Sequence, residues 1–173
     1  QGPLESPDVE LGFIAGMGTS DLLVPQMSGT AHVRGGQLTS FAAVAPRGVW
    51  LMGMNLDSVA VDYTSQAVAG APLEVRGPFR VSASGTDLAW RQRGTVQLGS
   101  RTHLRTDSLS IVVGDRELHA MRPFALTWIE QGFELDSLRL AGSMGSVEAH
   151  GRVNRARSEL SVNASITPPE PPA

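Results

Sequence analysis

The chain has 173 residues, only 18% of them charged, with a net charge of −3 and a pI near 5.8, so it offers no clustered basic face to nucleic acid. It has no cysteine, which excludes a disulfide framework and a thiolate metal site. No apolar run approaches the ~18 residues that cross a bilayer as a helix, and every basic residue is Arg, a bias of composition more than of chemistry.

In chain order, Gln1-Gly2-Pro3 resembles what a rhinovirus-type protease leaves of a cleaved tag. Residues 1–8 are therefore expected to be a tag remnant or a disordered start, with any anchor or export signal of the parent protein outside the sequence. A single domain is expected over 9–166. Short runs of alternating apolar and polar residues follow one another through it, the period-two pattern of half-buried strands. Val9, Leu11, Phe13 and Ala15 begin the series, and Met27, Gly29, Ala31 and Val33 continue it. Thr19 to Leu23 and the Ala-rich stretch from Ser65 to Ala71 allow at most one helical turn each.

Val49 to Leu56 is apolar on both parities, which predicts burial on both faces or contact with something outside the domain. Val59, Val61 and Tyr63 share a face. Leu73, Val75, Phe79 and Val81 share a parity across Gly77-Pro78. Leu88 with Trp90 and Val96 with Leu98 give two further runs; Arg91-Gln92-Arg93 between them reads as a hairpin loop. Leu109, Ile111 and Val113 form a strand, as do Leu118 with Ala120 and Phe124 with Leu126 and Trp128.

The last third is the most regular. Phe133 and Leu135 are odd-numbered whereas Leu138 and Leu140 are even, so a bulge or bend near Asp136-Ser137 is needed to return them to one face. Gly142-Ser-Met-Gly145 reads as a β-turn. Val147, Ala149 and Val153 alternate with Glu148, His150 and Arg152, and Leu160, Val162 and Ile166 with Ser161, Asn163 and Ser165. Residues 167–173 are Pro-rich and read as a linker or tail, because proline lacks the donor a sheet interior needs. Roughly a dozen strands result, the rhythm of an all-β, mostly antiparallel protein.

Chemistry is sparse. Gly16-Met-Gly18 lacks the third glycine and the βαβ setting of a dinucleotide fingerprint. His32, His103, His119 and His150 never adopt metal-ligand spacing, and His32 and His150 fall on the polar parity. The acidic residues are scattered, and a pair such as Asp136 with Glu148 could face each other across a hairpin, but general acid–base work needs a geometry that sequence alone does not supply. Asn163-Ala-Ser165 fits a glycosylation sequon, but also the outer face of a strand. Trp50, Trp90 and Trp128 suit a core or groove better than a sugar-stacking platform. No catalytic residue, metal ligand or cofactor is expected.

The segments Leu138-Arg-Leu-Ala-Gly142 and Val147-Glu-Ala-His-Gly-Arg-Val153, within Phe124 to Val153, resemble the repeating unit of the TamB and AsmA-like proteins; Val24 to Leu38 is a looser copy. The resemblance covers most of 9–166. It implies a β-taco, a sheet folded lengthwise into a U-shaped groove, in a protein anchored in the inner membrane and spanning the periplasm. It also implies a phospholipid or other acyl-chain cargo, an outer-membrane TamA-like partner of the BamA family, and a role in outer-membrane protein assembly. On that reading the groove lining is Leu73, Val75, Phe79, Val81, Leu109, Ile111, Val113, Leu126, Leu135, Leu138, Leu140, Val147, Ala149, Val153, Leu160, Val162 and Ile166. Such a wall offers no directional bond and holds an acyl chain by burial alone, ~0.8 kcal/mol per methylene. Two rival expectations stand beside it: a closed β-sandwich binding carbohydrate or protein, and a sheet whose open edges accept unfolded outer-membrane β-strands.

Overall fold

The computed structural model describes residues 8–19, 22–51, 54–68, 71–99, 101–129, 131–154 and 158–168. Strands are their only regular structure: β1 (Asp8–Gly18), β2 (Leu22–Arg34), β3 (Gln37–Ala45), β4 (Val49–Leu51), β5 (Met54–Leu56), β6 (Ser58–Thr64), β7 (Gln66–Val68) and β8 (Ala71–Ser84). They continue as β9 (Leu88–Leu98), β10 (Thr102–Val113), β11 (Arg116–Ala120), β12 (Phe124–Ile129), β13 (Gly132–Gly142), β14 (Gly145–Asn154) and β15 (Ser158–Ile166). All belong to one sheet, and all its pairings are antiparallel. The all-β expectation holds, and one continuous sheet stands where a sandwich would have two.

Four strands continue a neighbour's lane. β4 prolongs β3 along β2, β5 and β7 flank β6, and β12 continues β11 between β10 and β13, so fifteen strands make eleven lanes. At ~4.8 Å per lane the sheet measures roughly 48 Å across its strands, less than a count of a dozen separate strands predicts. Among the described residues β1 and β15 do not pair, and the sheet stays open.

The register settles which side chains share a face. Phe13, Gly29, Ala43, Val61, Val81, Gln92 and Leu109 stand side by side on successive lanes, and Ala120, Leu140, Val147 and Ala164 carry the row to β15. One face is thus apolar almost throughout. Ser82, Arg91 and Ser110 on the opposite face are polar. Val24, Ala43, Ala45, Tyr63, Val75, Phe79, Leu109, Leu140 and Ala149 are buried. A flat single-layered sheet would leave both its faces wet; burial on one face alone requires that face to be concave.

The bend follows a line of irregularities across the strands. Thr39 is an extra residue between β2 and β3, Ser65 separates β6 from β7, and the β9–β10 register shifts between Thr106 and Ser108. Met121–Pro123 interrupts the β11–β12 lane, and the β13–β14 register shifts between Leu135 and Leu138. That last shift is the bulge expected at Asp136-Ser137. An extra residue bends its strand and strengthens its twist, so irregularities aligned over many lanes crease the sheet. Their freed backbone groups are satisfied locally. Ser65 donates its N–H to Thr39 O (2.8 Å) and its hydroxyl to Leu38 O (2.5 Å). Asp136 Oδ1 accepts from the N–H of Ala125 (2.8 Å) and from that of Ser137. Gly77 belongs to this line because a Cβ there would stand 1.7 Å from Thr64 O.

Several sequence expectations are corrected. Arg91-Gln92-Arg93 lies mid-strand in β9, with both Arg exposed and Gln92 turned inward, since the dense charge belongs to an outer face and not to a turn. Leu88 to Leu98 is accordingly one strand. Glu148 pairs with Arg139 at 3.2 Å, and Asp136 is committed to the bulge, so the two acids do not face each other. Gln66–Val68 is strand where a helical turn was allowed, and Leu22 opens β2; residues 20, 21, 69 and 70 lie outside the described residues. The first strand begins at Asp8, one residue inside the expected start segment; residues 1–7 and 169–173 lie outside the described residues.

Candidate functional site: an apolar groove

A cavity of about 360 Å³ opens on the concave face towards the end of the sheet that carries β4 and β5. Its wall is built lane by lane: Val24 and Met27 from β2, Ala43 and Ala45 from β3, Val59 and Val61 from β6, Val81 and Ala83 from β8, and Leu88 and Trp90 from β9. Val49 and Leu56, paired across the β4–β5 hairpin, complete it. Every lining side chain is apolar. Val24, Ala45, Val49 and Leu56 also form a buried cluster, with Met27, Val59, Ala83 and Leu88 packed on it, so core and cavity wall are the same residues. The hairpin buries one face only: Val49 and Leu56 point inward while Trp50 is exposed. Of the expected burial on both faces, the described side chains show an inward wall of Val49 and Leu56 and an outward Trp50; the side chains of residues 51–54 lie outside the described part of the structure.

Of the predicted lining, Val81 borders this cavity. Register places Val75, Phe79, Leu109, Ile111, Val113, Leu126, Leu135, Leu138, Leu140, Val147, Ala149, Val153, Leu160, Val162 and Ile166 on the same concave face. Leu73 lies in β8, its side chain outside the described part of the structure. Shielding falls along the sheet: Leu109, Leu140 and Ala149 are buried, whereas Val162 is 57% exposed and Ile166 82%. The groove is most enclosed at the β2–β9 end and open at β15.

Sequence reading missed most of the cavity. In Phe41-Ala-Ala-Val-Ala45 both parities are apolar, so alternation gives no face. Only pairing fixes it, through Gly29 opposite Ala43 and Ala43 opposite Val61.

The wall also corrects the expectation of a purely hydrocarbon surface. Gln92 and Thr106 stand on the concave face, where Gln92 Nε2 donates to Thr106 Oγ1 at 2.8 Å. Thr106 is fully buried, at 0% exposure, and this bond offsets the desolvation of its hydroxyl. Arg116, on the same parity at the rim, donates to Ser143 O (2.7 Å) and to Thr167 O, tying the β13–β14 turn and the residue after β15 to the start of β11.

Among the described residues, charge is confined to the other face and the rims. Arg139–Glu148 and Arg152–Glu134 (both 3.2 Å) and Arg105–Asp107 (3.0 Å) are solvent-exposed pairs, worth little in stability. Asp8 raises the pKa of Arg34 through a side-chain hydrogen bond and its charge. His32 lies on the outer face, His103 Nδ1 is 2.9 Å from Thr127 Oγ1, and among the described residues no three His, Asp or Glu gather as metal ligands. Of the tryptophans, Trp90 lines the cavity while Trp50 and Trp128 are exposed elsewhere, which leaves no shared stacking platform.

Comparison with known protein families, with curated proteins and with solved structures found no match for this chain.

Proposed function

We propose that the chain is a lipid-shielding groove, a piece of a TamB- or AsmA-like periplasm-spanning protein that carries acyl chains of phospholipids between inner and outer membranes. The observation that carries this reading is the concave row running lane after lane from Phe13 to Ala164, apolar but for Gln92, and widened into an apolar cavity at one end. The polar side chains on that face are committed to one another or to the rim, Gln92 to Thr106 and Arg116 to backbone carbonyls, and the cavity wall itself is apolar throughout. Burial of a hydrocarbon chain, at ~0.8 kcal/mol per methylene, is the one large favourable term it supplies. Burial without directional bonds favours movement of the chain along the rows, with the better-shielded part of the groove holding it more strongly than the open end. In this role the protein is no enzyme and needs no cofactor; its site is a surface, not a constellation. The test is native mass spectrometry with organic extraction of protein purified from envelope-containing cells. The reading expects co-purifying phospholipid or fatty acid that mild detergent removes, and a lipid-free protein from such cells would count against it.

A second reading is favoured by β15, all nine residues of which are exposed. Its open edge carries an apolar inner row and no proline within the strand, and edges without such blocks accept further strands. An incoming strand of an unfolded outer-membrane protein, or of a TamA-like partner of the parent protein, would extend the sheet there by main-chain hydrogen bonds. Pull-down of a synthetic outer-membrane β-hairpin, insensitive to polar substitutions in the cavity, separates this reading from the first.

A further inference from the structure

The groove leaves two features of the outer face unexplained. The first is hydrocarbon in water. Ile14 is 77% exposed, and Leu23, Val44 and Trp50 are exposed near it on β1 to β4. Leu23 pairs with Trp50, and their chain neighbours Val24 and Val49 line the cavity, so both point away from it. The second is uncompensated positive charge. Register sets Arg80 directly opposite Arg93, with Arg91 two residues away on the same face, all three exposed. Among the described residues none of the three forms an ion pair. Like charges facing each other across strands destabilise a sheet. Arg93 Nε donates to Ser108 Oγ at 2.9 Å, which holds that guanidinium on the outer face, and Asp62, on the far side of Arg80, is the acid in their row.

Both features belong to one wall. A single row runs Ile14, Ser28, Val44, Ala60, Ser82, Arg91 over successive lanes, so hydrocarbon gives way to arginine across small residues. Arg91 lies three lanes from Val44, about 14 Å. A protein partner docks on large side chains clustered at the centre of a patch, whereas the centre here is Ser28, Ala60 and Ser82. A bilayer surface asks for the split this wall has. Aliphatic side chains and an interfacial tryptophan enter the acyl boundary, and arginines meet lipid phosphates.

We propose that this outer wall docks on an anionic phospholipid surface, with Ile14, Leu23, Val44 and Trp50 as its apolar contacts and Arg80, Arg91 and Arg93 on the phosphates. The wall is the back of the cavity, so docking lays the groove along the bilayer whatever the groove carries.

The experiment is flotation of the protein with vesicles of phosphatidylcholine, alone or mixed with phosphatidylglycerol, with an oligonucleotide as a second polyanion. Binding is expected on the mixed vesicles, weakened by salt, and roughly tenfold weaker on phosphatidylcholine alone. Arg80→Gln with Arg93→Gln is expected to lose roughly 10- to 30-fold in affinity for the mixed vesicles. Ile14→Ser is expected to lose roughly 3- to 10-fold. Both variants change exposed side chains, so their thermal midpoints are expected to hold, or to rise where the facing arginines are removed. Wild-type protein that stays off the mixed vesicles, binds both kinds equally, or binds alike in all variants overturns the docking surface. So does an oligonucleotide held through the same arginines while vesicles remain free. Lipid extracted from the groove is read separately, so none of these results bears on the acyl-groove reading.

Discussion

Gln92 and Thr106 show how a polar pair is accommodated on an apolar face. Thr106 has no access to water, so its hydroxyl depends on the Gln92 amide. Thr106→Val is expected to cost about 1 kcal/mol in urea unfolding, because it strands the half-buried amide. The double change Gln92→Leu with Thr106→Val is expected to recover most of that loss, since removing both partners leaves nothing unpaired. Additive losses in the two single variants and the double would show that the two side chains are independent. Neither residue announces this pairing in sequence: Gln92 sits between two arginines, and Thr106 precedes Asp107 in a polar-looking stretch. Their shared face exists only through the shift at Thr106–Ser108.

Strands reveal their faces in sequence when one parity is clearly polar, as in β14 and β15, and conceal them when both are apolar, as in β3. The bulge in β13 was legible because Leu135 and Leu138 cannot share a face without it; the interruptions at Ser65 and at Met121–Pro123 leave no comparable mark, because their strands resume in a lane that only long-range pairing defines. Asp136 holds the β13 bulge in place. Asp136→Ala removes the acceptor of the Ala125 N–H and is expected to lower stability by about 1 kcal/mol, with faster amide exchange at Ala125. The position along the sheet decides what a charge does. Val162→Arg at the open end is expected to fold with a loss within about 0.5 kcal/mol, as exposed substitutions do. Leu109→Arg, in the shielded part, is expected to cost about 3–5 kcal/mol by burying an unpaired charge. Circular dichroism melts of the two variants compare them directly; a closed sandwich core would make both fail alike.

Among the described residues, one sheet of eleven lanes keeps its charge off the concave face, which carries most of the larger apolar side chains, while Ile14, Val44 and Trp50 are exposed on the other. The enclosed end at β2–β9 and the open end at β15 make the groove asymmetric, so an acyl chain gains more from burial at the first than at the second. The alternation that made single strands recognisable carries over to this scale because successive registers keep their parity, each bulge restoring what the local sequence shifts. The most direct test is site-specific photo-crosslinking in cells at neighbouring residues of opposite face: Val81 and Leu138 within the groove, Arg80 and Arg139 outside it. The account predicts acyl-lipid adducts from Val81 and Leu138 and none from Arg80 and Arg139. Adducts spread equally over both faces, or absent from Val81 and Leu138, would contradict it.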